Sequence, residues 1–197
     1  MVLGGIPYYL SLLDNALSLP ANIDQLFFSR DAELKKEFDR LFKSLFKSPQ
    51  AYVDIIQLLA NNKKGLTRKE ISEKLKKETY NVRERKINSN NGIYQLTDFY
   101  IQFYHDFCSK HTTDEHFWEN SINSPKQNTW YGLAYERLCM AHIPQIKEAL
   151  GIQRIRTEYY SWRSKESVPA AQVDLIIERA DQIISLCEIK YSKGIYS

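Results

Sequence analysis

Four polar side chains interrupt two otherwise apolar segments near the C-terminal end of the chain. Gln172 and Asp174 lie in the first segment, and Glu188 and Lys190 lie in the second. Both segments are rich in valine, isoleucine and leucine, and polar residues around Asp181 separate them, which predicts two β-strands joined by a tight turn. Burying an unpaired carboxylate among such residues is costly, so these polar groups need partners.

The two predicted strands cover residues 171–178 and 182–190. Side chains alternate between the two faces of a strand, so the polar residues of each strand share one face. A turn centred on the aspartate between the strands places Asp174 opposite Glu188, and the other two polar residues opposite each other. A two-residue loop would instead put the two carboxylates on opposite faces, so the prediction requires an odd-numbered loop.

Two facing carboxylates repel each other unless a cation lies between them, and a hard divalent cation with oxygen ligands is the usual solution. We therefore predict a Mg²⁺ site in which Asp174 and Glu188 each give an oxygen and the Ile189 carbonyl adds another. Lys190 would orient an attacking water and neutralise charge on a phosphate. The alternative is a simple carboxylate–lysine salt bridge on a solvated sheet face, which the spacing leaves open.

A helix that precedes the hairpin carries a further acidic residue. Residues 129–138 are apolar on most sides of a helix, yet Glu136 lies in the middle of that surface. Pro144 either kinks this helix or begins a new one, and Gly151 is a suitable C-terminal stop. An extended segment, 152–162, leads from there towards the hairpin.

Helical patterns dominate the first half of the chain. Large apolar residues at helical spacing predict an amphipathic helix over residues 34–45. Thr67 and Glu70 have the spacing of a capping box, which predicts the start of another helix. Asp98 or Thr97 caps a further helix that is rich in aromatic residues.

A short strand is predicted at residues 93–96, after an Asn-Asn-Gly turn. Two small helices followed by such a strand resemble a winged-helix module. The chain is therefore predicted to contain a helical segment (1–48), a winged-helix-like module (49–112) and a third part (113–197) that includes the hairpin.

The composition is that of a globular protein, because 43% of the 197 residues are hydrophobic and 26% are charged. No apolar run is long enough to span a membrane, and the first twenty residues lack the features of a secretory signal, so we expect a cytoplasmic protein without a membrane partner. The three cysteines are far apart, and the four histidines lack a metal-ligand spacing, which favours packing or surface roles. The Gly-x-x-x-x-Gly-Lys-Ser/Thr pattern is missing, so no ATP-binding residues are predicted.

Positive charge is concentrated in residues 63–87, where ten basic residues accompany four acidic ones, although the net charge of the whole chain is only +3. A solvated lysine-rich helix face and a phosphate-binding surface would both explain this concentration. Phosphate contacts give affinity for nucleic acid without sequence information. The candidate nucleic-acid contacts are Arg83, Arg85, Lys86 and, beside an aromatic run near the hairpin, Arg163 and Lys165.

The arrangement of these residues is similar to that of a known superfamily. The run Gln172-Val173-Asp174, thirteen intervening residues and Glu188-Ile189-Lys190, preceded by a helical glutamate, resembles the PD-(D/E)xK nucleases with their restriction-endonuclease-like fold. Residues 94–100, 130–136 and 161–163 resemble the C-terminal half of a prokaryotic AAA-type ATPase family. Its members join an ATPase to a winged helix and a nuclease-like domain, and the run Gly-Gly-Ile-Pro-Tyr-Tyr-Leu near the start of the chain resembles the end of the ATPase lid.

The resemblance implies an α+β protein with a degenerate winged helix and a truncated restriction-endonuclease-like α/β domain. It implies that Asp174 and Glu188 are metal ligands and that Lys190 is the catalytic lysine, while Glu136 is the helix-borne acidic residue and Gln172 an auxiliary polar group. The implied activity is Mg²⁺- or Mn²⁺-dependent hydrolysis of phosphodiester bonds in DNA. Some members have lost this activity, so the alternative is a non-catalytic module that binds DNA or an ATPase partner.

The sequence departs from this family in three places. The P-loop is missing, so any ATP-driven function would belong to a longer protein or to a partner chain. The recognition helix of the winged helix is eroded between Leu75 and Tyr94. The chain stops seven residues after Lys190, so we expect the nuclease core to be incomplete and the strand of Glu188 to lie at a sheet edge.

Overall fold

A computed structural model of the chain describes residues 1–45, 49–63, 65–75, 93–109, 112–164 and 171–192. Its contacts divide the chain into two compact units, Val2–Ile122 and Asn123–Ser197, with Met1 grouped with the second. Helices and two antiparallel sheets make up the described part, so the predicted α+β class is confirmed. Within these ranges, no helix has the length and apolar character needed to cross a membrane.

The first unit is mainly helical. Ser18 and Asp98 cap two of its helices, because their side-chain oxygens accept the backbone N–H groups of Ala21 and Ile101. The cap of the aromatic helix is therefore Asp98 and not Thr97. The described helices are α1 (Pro7–Ser11), α2 (Leu19–Phe27), α3 (Glu33–Leu45), α4 (Pro49–Asn61), α5 (Arg68–Leu75), α6 (Phe99–Phe103) with its π-helical continuation (Tyr104–Cys108), and α7 (Phe117–Asn120).

Aromatic side chains fill the core of the first unit. The rings of Phe27 and Phe103 pack edge to face with centroids 4.8 Å apart, and Phe103 meets Trp118 in the same way at 5.0 Å. Tyr100 is buried beside them, and its hydroxyl donates a 2.9 Å hydrogen bond to the carbonyl of Leu34. Leu34 belongs to α3, which confirms the predicted helix, so one aromatic core joins α2, α3, α6 and α7.

A small sheet accompanies these helices. Its strands β1 (Leu66–Thr67) and β2 (Ile93–Tyr94) pair antiparallel. The predicted capping box is confirmed, because the Thr67 N–H donates to Glu70 Oε2 at 2.7 Å and the Glu70 N–H donates to Thr67 Oγ1 at 3.3 Å. The eroded recognition helix of the predicted winged helix falls in residues 76–92, outside the described part.

The second unit begins with two consecutive helices, α8 (Pro125–Ala141) and α9 (Ile143–Ala149). The hydroxyl of Ser124 caps α8 by accepting a backbone N–H of its first turn. Helix α8 is longer than the predicted 129–138. Pro144 lies in the first turn of α9, so it begins a new helix, where its missing N–H costs nothing.

Gly151 ends α9 in the way the sequence predicts. Its φ of +69° lies in the left-handed region. The Gly151 N–H donates to the carbonyl of Glu148 at 2.9 Å, and the Ile152 N–H donates to the carbonyl of Lys147 at 2.9 Å, which is a Schellman motif. The chain then turns towards the strands of the second unit.

A three-stranded antiparallel sheet completes the second unit, in the order β3 (Thr157–Arg163), β4 (Gln172–Arg179) and β5 (Ile184–Cys187). Leu175 and Ile177 on β4 are buried in a cluster with isoleucines of α9 and of the loop after it. Among the described residues, β5 pairs only with β4, so it lies at the sheet edge as predicted.

Candidate functional site

The turn between β4 and β5 determines which residues face each other. Ala180, Asp181 and Gln182 form a three-residue loop, closed by a 3.0 Å hydrogen bond from the Arg179 N–H to the carbonyl of Ile183. Gln182 has a φ of 66°, which is the left-handed conformation that three-residue hairpin loops commonly need. The odd-numbered loop required by the prediction is therefore present.

The two strands keep the predicted register. Leu175 on β4 lies opposite Cys187 on β5. Continued by one position beyond this last pair, the same register would place Asp174 opposite Glu188. On the other side of β4, Asp174 and Leu175 together lie opposite the single residue Ser161 of β3, which is a β-bulge at the position of Asp174.

Both carboxylate oxygens of Asp174 accept hydrogen bonds. Gln172 Nε2 donates to Oδ1 at 3.0 Å, and the Ile189 N–H donates to Oδ2 at 2.9 Å. These bonds fix the orientation of the carboxylate, while each oxygen keeps a lone pair for another partner. Regular pairing of β5 stops at Cys187, so the strand is shorter than the predicted 182–190. The predicted role of the Ile189 carbonyl stays a prediction.

Lys190 pairs with Glu188 in the segment that follows β5. The Lys190 Nζ lies 2.9 Å from Glu188 Oε1, and the two side chains are 74% and 71% exposed. This ion pair is the alternative that the spacing left open. An ion pair so exposed is screened by water and contributes little to stability. A metal ion that binds Glu188 would therefore break this ion pair at little cost in free energy.

Glu136 lies on the side of α8 that is turned towards the sheet. Met140, one turn further along the same face, packs against the buried cluster of Leu175 and Ile177. Glu136 itself is half-buried. In the described part of the chain, however, Asp174, Glu188 and Glu136 do not form a group whose ligand atoms all lie within 4.8 Å of one another.

The candidate nucleic-acid contacts are placed only in part. Arg163 is the last residue of β3, and its backbone pairs with Gln172, so this end of β3 lies beside the strand that carries Asp174. The Arg163 side chain is outside the described part. The other candidates, Arg83, Arg85, Lys86 and Lys165, also lie outside it.

Another group of potential metal ligands lies in the first unit. Ligand atoms of Asp24, His116 and Glu119 lie within 4.8 Å of one another. Asp24 is buried, and its oxygens accept the backbone N–H groups of Trp118 at 2.7 Å and Glu119 at 3.0 Å. Burial raises the pKa of Asp24, although these two hydrogen bonds act in the opposite direction. The carboxylate thus satisfies the orphan N–H groups at the start of α7, which is a structural role.

Sequence reasoning missed this group. The only local signal is the spacing of His116 and Glu119, three residues apart, which puts both side chains on one side of a helical turn. Asp24 gives no signal of its own, because it lies 94 residues before its partner Trp118.

Comparisons with protein-family models, curated proteins and solved structures found no match for this chain. The candidate function therefore rests on the geometry of β4, β5 and α8.

Proposed function

We propose that this chain is a metal-dependent, nuclease-like domain that hydrolyses phosphodiester bonds of DNA. The observation that carries the proposal is the register of β4 and β5, which would align Asp174 with Glu188 one position beyond the last pair, Leu175 and Cys187. Counted from the hydrogen-bonded pair of Arg179 and Ile183, this is a non-hydrogen-bonded position, where facing side chains approach most closely. Two carboxylates at such a position repel each other, and a divalent cation relieves the repulsion.

The donor atoms suit Mg²⁺ or Mn²⁺, because they are carboxylate oxygens. Asp174 is held in a fixed orientation by Gln172 and by the Ile189 N–H, and it still has lone pairs to offer. Glu188 is exposed and can turn to a cation once it releases its ion pair. A bound cation would supply Lewis acidity at a phosphate oxygen and a more acidic water.

The remaining residues have distinct roles in this proposal. Lys190 is paired with Glu188 and, when this ion pair opens, would orient the attacking water and neutralise negative charge on the phosphate. Glu136 faces the sheet from α8 and would contribute through a bridging water.

A second candidate function is a non-catalytic module that binds DNA or an ATPase partner and keeps a relic of the nuclease site. The observation that favours it is the exposed ion pair of Glu188 and Lys190, which already satisfies both groups without a metal. In either case we propose that the chain acts with an ATPase module, in a longer protein or in a partner chain.

The test is cleavage of plasmid and single-stranded DNA by the purified, folded chain in the presence of Mg²⁺ or Mn²⁺. We expect cleavage that stops when the metal is chelated and that is lost in Asp174→Ala and in Lys190→Ala. Glu178→Gln is the matched control, because Glu178 is another carboxylate of β4 and pairs with Ile184 near the turn. We expect this variant to cleave as the unmodified chain does.

Two other outcomes are informative. Cleavage that persists in both site variants would come from a contaminating nuclease and would contradict the proposal. The non-catalytic module would be favoured by a chain that binds DNA but shows neither cleavage nor saturable metal binding, and whose DNA binding is unchanged in Asp174→Ala.

A further inference from the structure

Three tyrosine rings meet where the segment after β5 passes α8. The ring of Tyr191 stacks on that of Tyr131, with centroids 5.2 Å apart and an interplanar angle of 23°. Tyr191 also meets Tyr135 edge-on, with centroids 6.0 Å apart and an angle of 63°. Tyr131 and Tyr135 are one helical turn apart, so they offer one continuous surface to the third ring. We call these three residues the tyrosine cluster.

The tyrosine cluster joins the sequence neighbours of two candidate site residues. Tyr135 directly precedes Glu136, and Tyr191 directly follows Lys190. The ring contact therefore fixes how far the helix that carries Glu136 lies from the segment that carries Lys190.

Side-chain contacts hold this segment where the regular pairing of β5 has ended. The last paired residue is Cys187. Beyond it, the Ile189 N–H is held by Asp174 at 2.9 Å, and the ring of Tyr191 is held by α8. Aromatic rings prefer offset-stacked and edge-to-face geometries, so such contacts restrict the orientation of the segment as well as its distance.

We infer that Tyr191 is a positioning residue of the candidate metal site, because its ring sets the separation between Glu136 and the segment of Glu188 and Lys190. The inference rests on the proposed function. When the ring is removed, Asp174 and Glu188 remain, so a metal still binds. Glu136 then loses its fixed distance from that metal, and with it most of its influence on metal binding.

The test is a double-mutant cycle that measures Mn²⁺ binding by calorimetric titration of the whole chain. We expect Glu136→Gln to weaken Mn²⁺ binding about fivefold in the unmodified chain, because in the proposed function Glu136 reaches the cation through a bridging water and the substitution removes its negative charge. In the Tyr191→Ala background the same substitution should change Mn²⁺ binding by less than about twofold, because the two sites are no longer coupled.

A conservative variant and a control separate positioning from general destabilisation. Tyr191→Phe keeps the ring, so we expect it to restore the full effect of Glu136→Gln. Tyr94→Ala is the matched control, since Tyr94 lies on β2 of the first unit and is 47% exposed. In that background the effect of Glu136→Gln should be unchanged. If Tyr191→Ala does not fold, Tyr131→Leu removes the stacked partner ring and serves for the same cycle.

The outcomes distinguish failure of the inference from failure of the proposed function. If Glu136→Gln weakens Mn²⁺ binding by the same factor with and without the Tyr191 ring, the inference is overturned while the metal site stands. The same holds if Glu136→Gln has no effect in the unmodified chain. If the unmodified chain shows no saturable Mn²⁺ binding, the proposed function itself fails and the inference fails with it.

Discussion

The backbone N–H of Ile189 donates a 2.9 Å hydrogen bond to Oδ2 of Asp174, across the two strands of the hairpin. In a continuing antiparallel ladder this N–H would instead meet the backbone carbonyl of Val173. The side chain of Asp174 thus ends the ladder of backbone hydrogen bonds, and the Ile189 N–H in turn holds this side chain in place. One residue therefore serves the fold and, in the proposed function, the metal.

These two roles of Asp174 can be separated by substitution. Asp174→Asn keeps an oxygen that can accept the Ile189 N–H, so we expect the free energy of unfolding to change by less than about 1 kcal/mol. It removes the negative charge, so Mn²⁺ binding should weaken at least about tenfold. Asp174→Ala should weaken metal binding similarly and cost about 1 kcal/mol more in stability. Calorimetric Mn²⁺ titration and urea unfolding measure the two effects, and unchanged Mn²⁺ binding in Asp174→Asn would contradict the site.

Lys190 is expected to oppose metal binding while supporting catalysis. The Lys190 Nζ forms an ion pair with Glu188 Oε1 at 2.9 Å, so Lys190→Ala makes this carboxylate available to the cation. We expect Mn²⁺ binding to tighten about threefold, because a competing positive charge is removed, while DNA cleavage is lost.

The control for Lys190→Ala is Lys69→Ala. Lys69 is 85% exposed and lies 3.9 Å from Glu73, so it also belongs to an exposed lysine–glutamate pair. Its removal should leave Mn²⁺ binding unchanged. Weaker Mn²⁺ binding in Lys190→Ala would mean that the ion pair supports the carboxylate instead of competing with the metal.

Local patterns carried most of what the sequence predicted correctly. The capping box of Thr67 and Glu70 could be recognised because its partners are three residues apart. The hairpin register followed from the requirement that the polar residues share a face, which left an odd-numbered loop as the condition. The left-handed conformation of Gln182 could not be predicted, because glutamine has no special preference for a positive φ.

Contacts between distant residues could not be predicted in this way. The cap that Asp24 provides for α7 joins residues 94 apart, and nothing in the local sequence of either marks the other. The contact of Tyr191 with Tyr131 is of the same kind, because aromatic residues are common and their spacing on one helix does not identify a partner on another segment. Such pairings depend on how whole elements pack.

Asp24 is expected to matter for stability and not for metal binding. Asp24→Ala leaves the buried N–H of Trp118 and the N–H of Glu119 without their acceptor, so we expect it to lower the free energy of unfolding by about 2 kcal/mol. Asp31→Ala, at an exposed aspartate before α3, should change it by less than about 0.5 kcal/mol. Both variants should bind Mn²⁺ as the unmodified chain does. Thermal and urea unfolding measure the first effect, and weaker Mn²⁺ binding in Asp24→Ala would move the metal centre to the first unit.

The protein should become less stable in acid, because protonation of Asp106 removes its ion pair with Lys63. Lys63 follows α4 and its Nζ lies 2.9 Å from Oδ2 of Asp106, in the π-helical turn after α6. Burial alone would raise the pKa of Asp106, but the neighbouring His105 ring and the Lys63 ammonium outweigh it and hold this pKa below its usual value. A carboxyl group whose pKa is lowered by folding contributes stability above its unfolded pKa, and this contribution is lost as the pH falls through the folded pKa.

Asp106→Asn tests this pH dependence because it removes the titrating group. We expect the unmodified chain to lose stability as the pH falls from the usual carboxyl pKa of 3.8, and the difference from Asp106→Asn to shrink over the same range. Lys63→Met should lower the free energy of unfolding by about 1 kcal/mol at neutral pH, because the half-buried carboxylate then lacks its cation. Urea unfolding between about pH 2.5 and about pH 7, from roughly one pKa standard deviation of aspartate below its usual pKa to well above it, measures both effects. Parallel stability curves for the unmodified chain and Asp106→Asn would show that folding does not lower the pKa of Asp106.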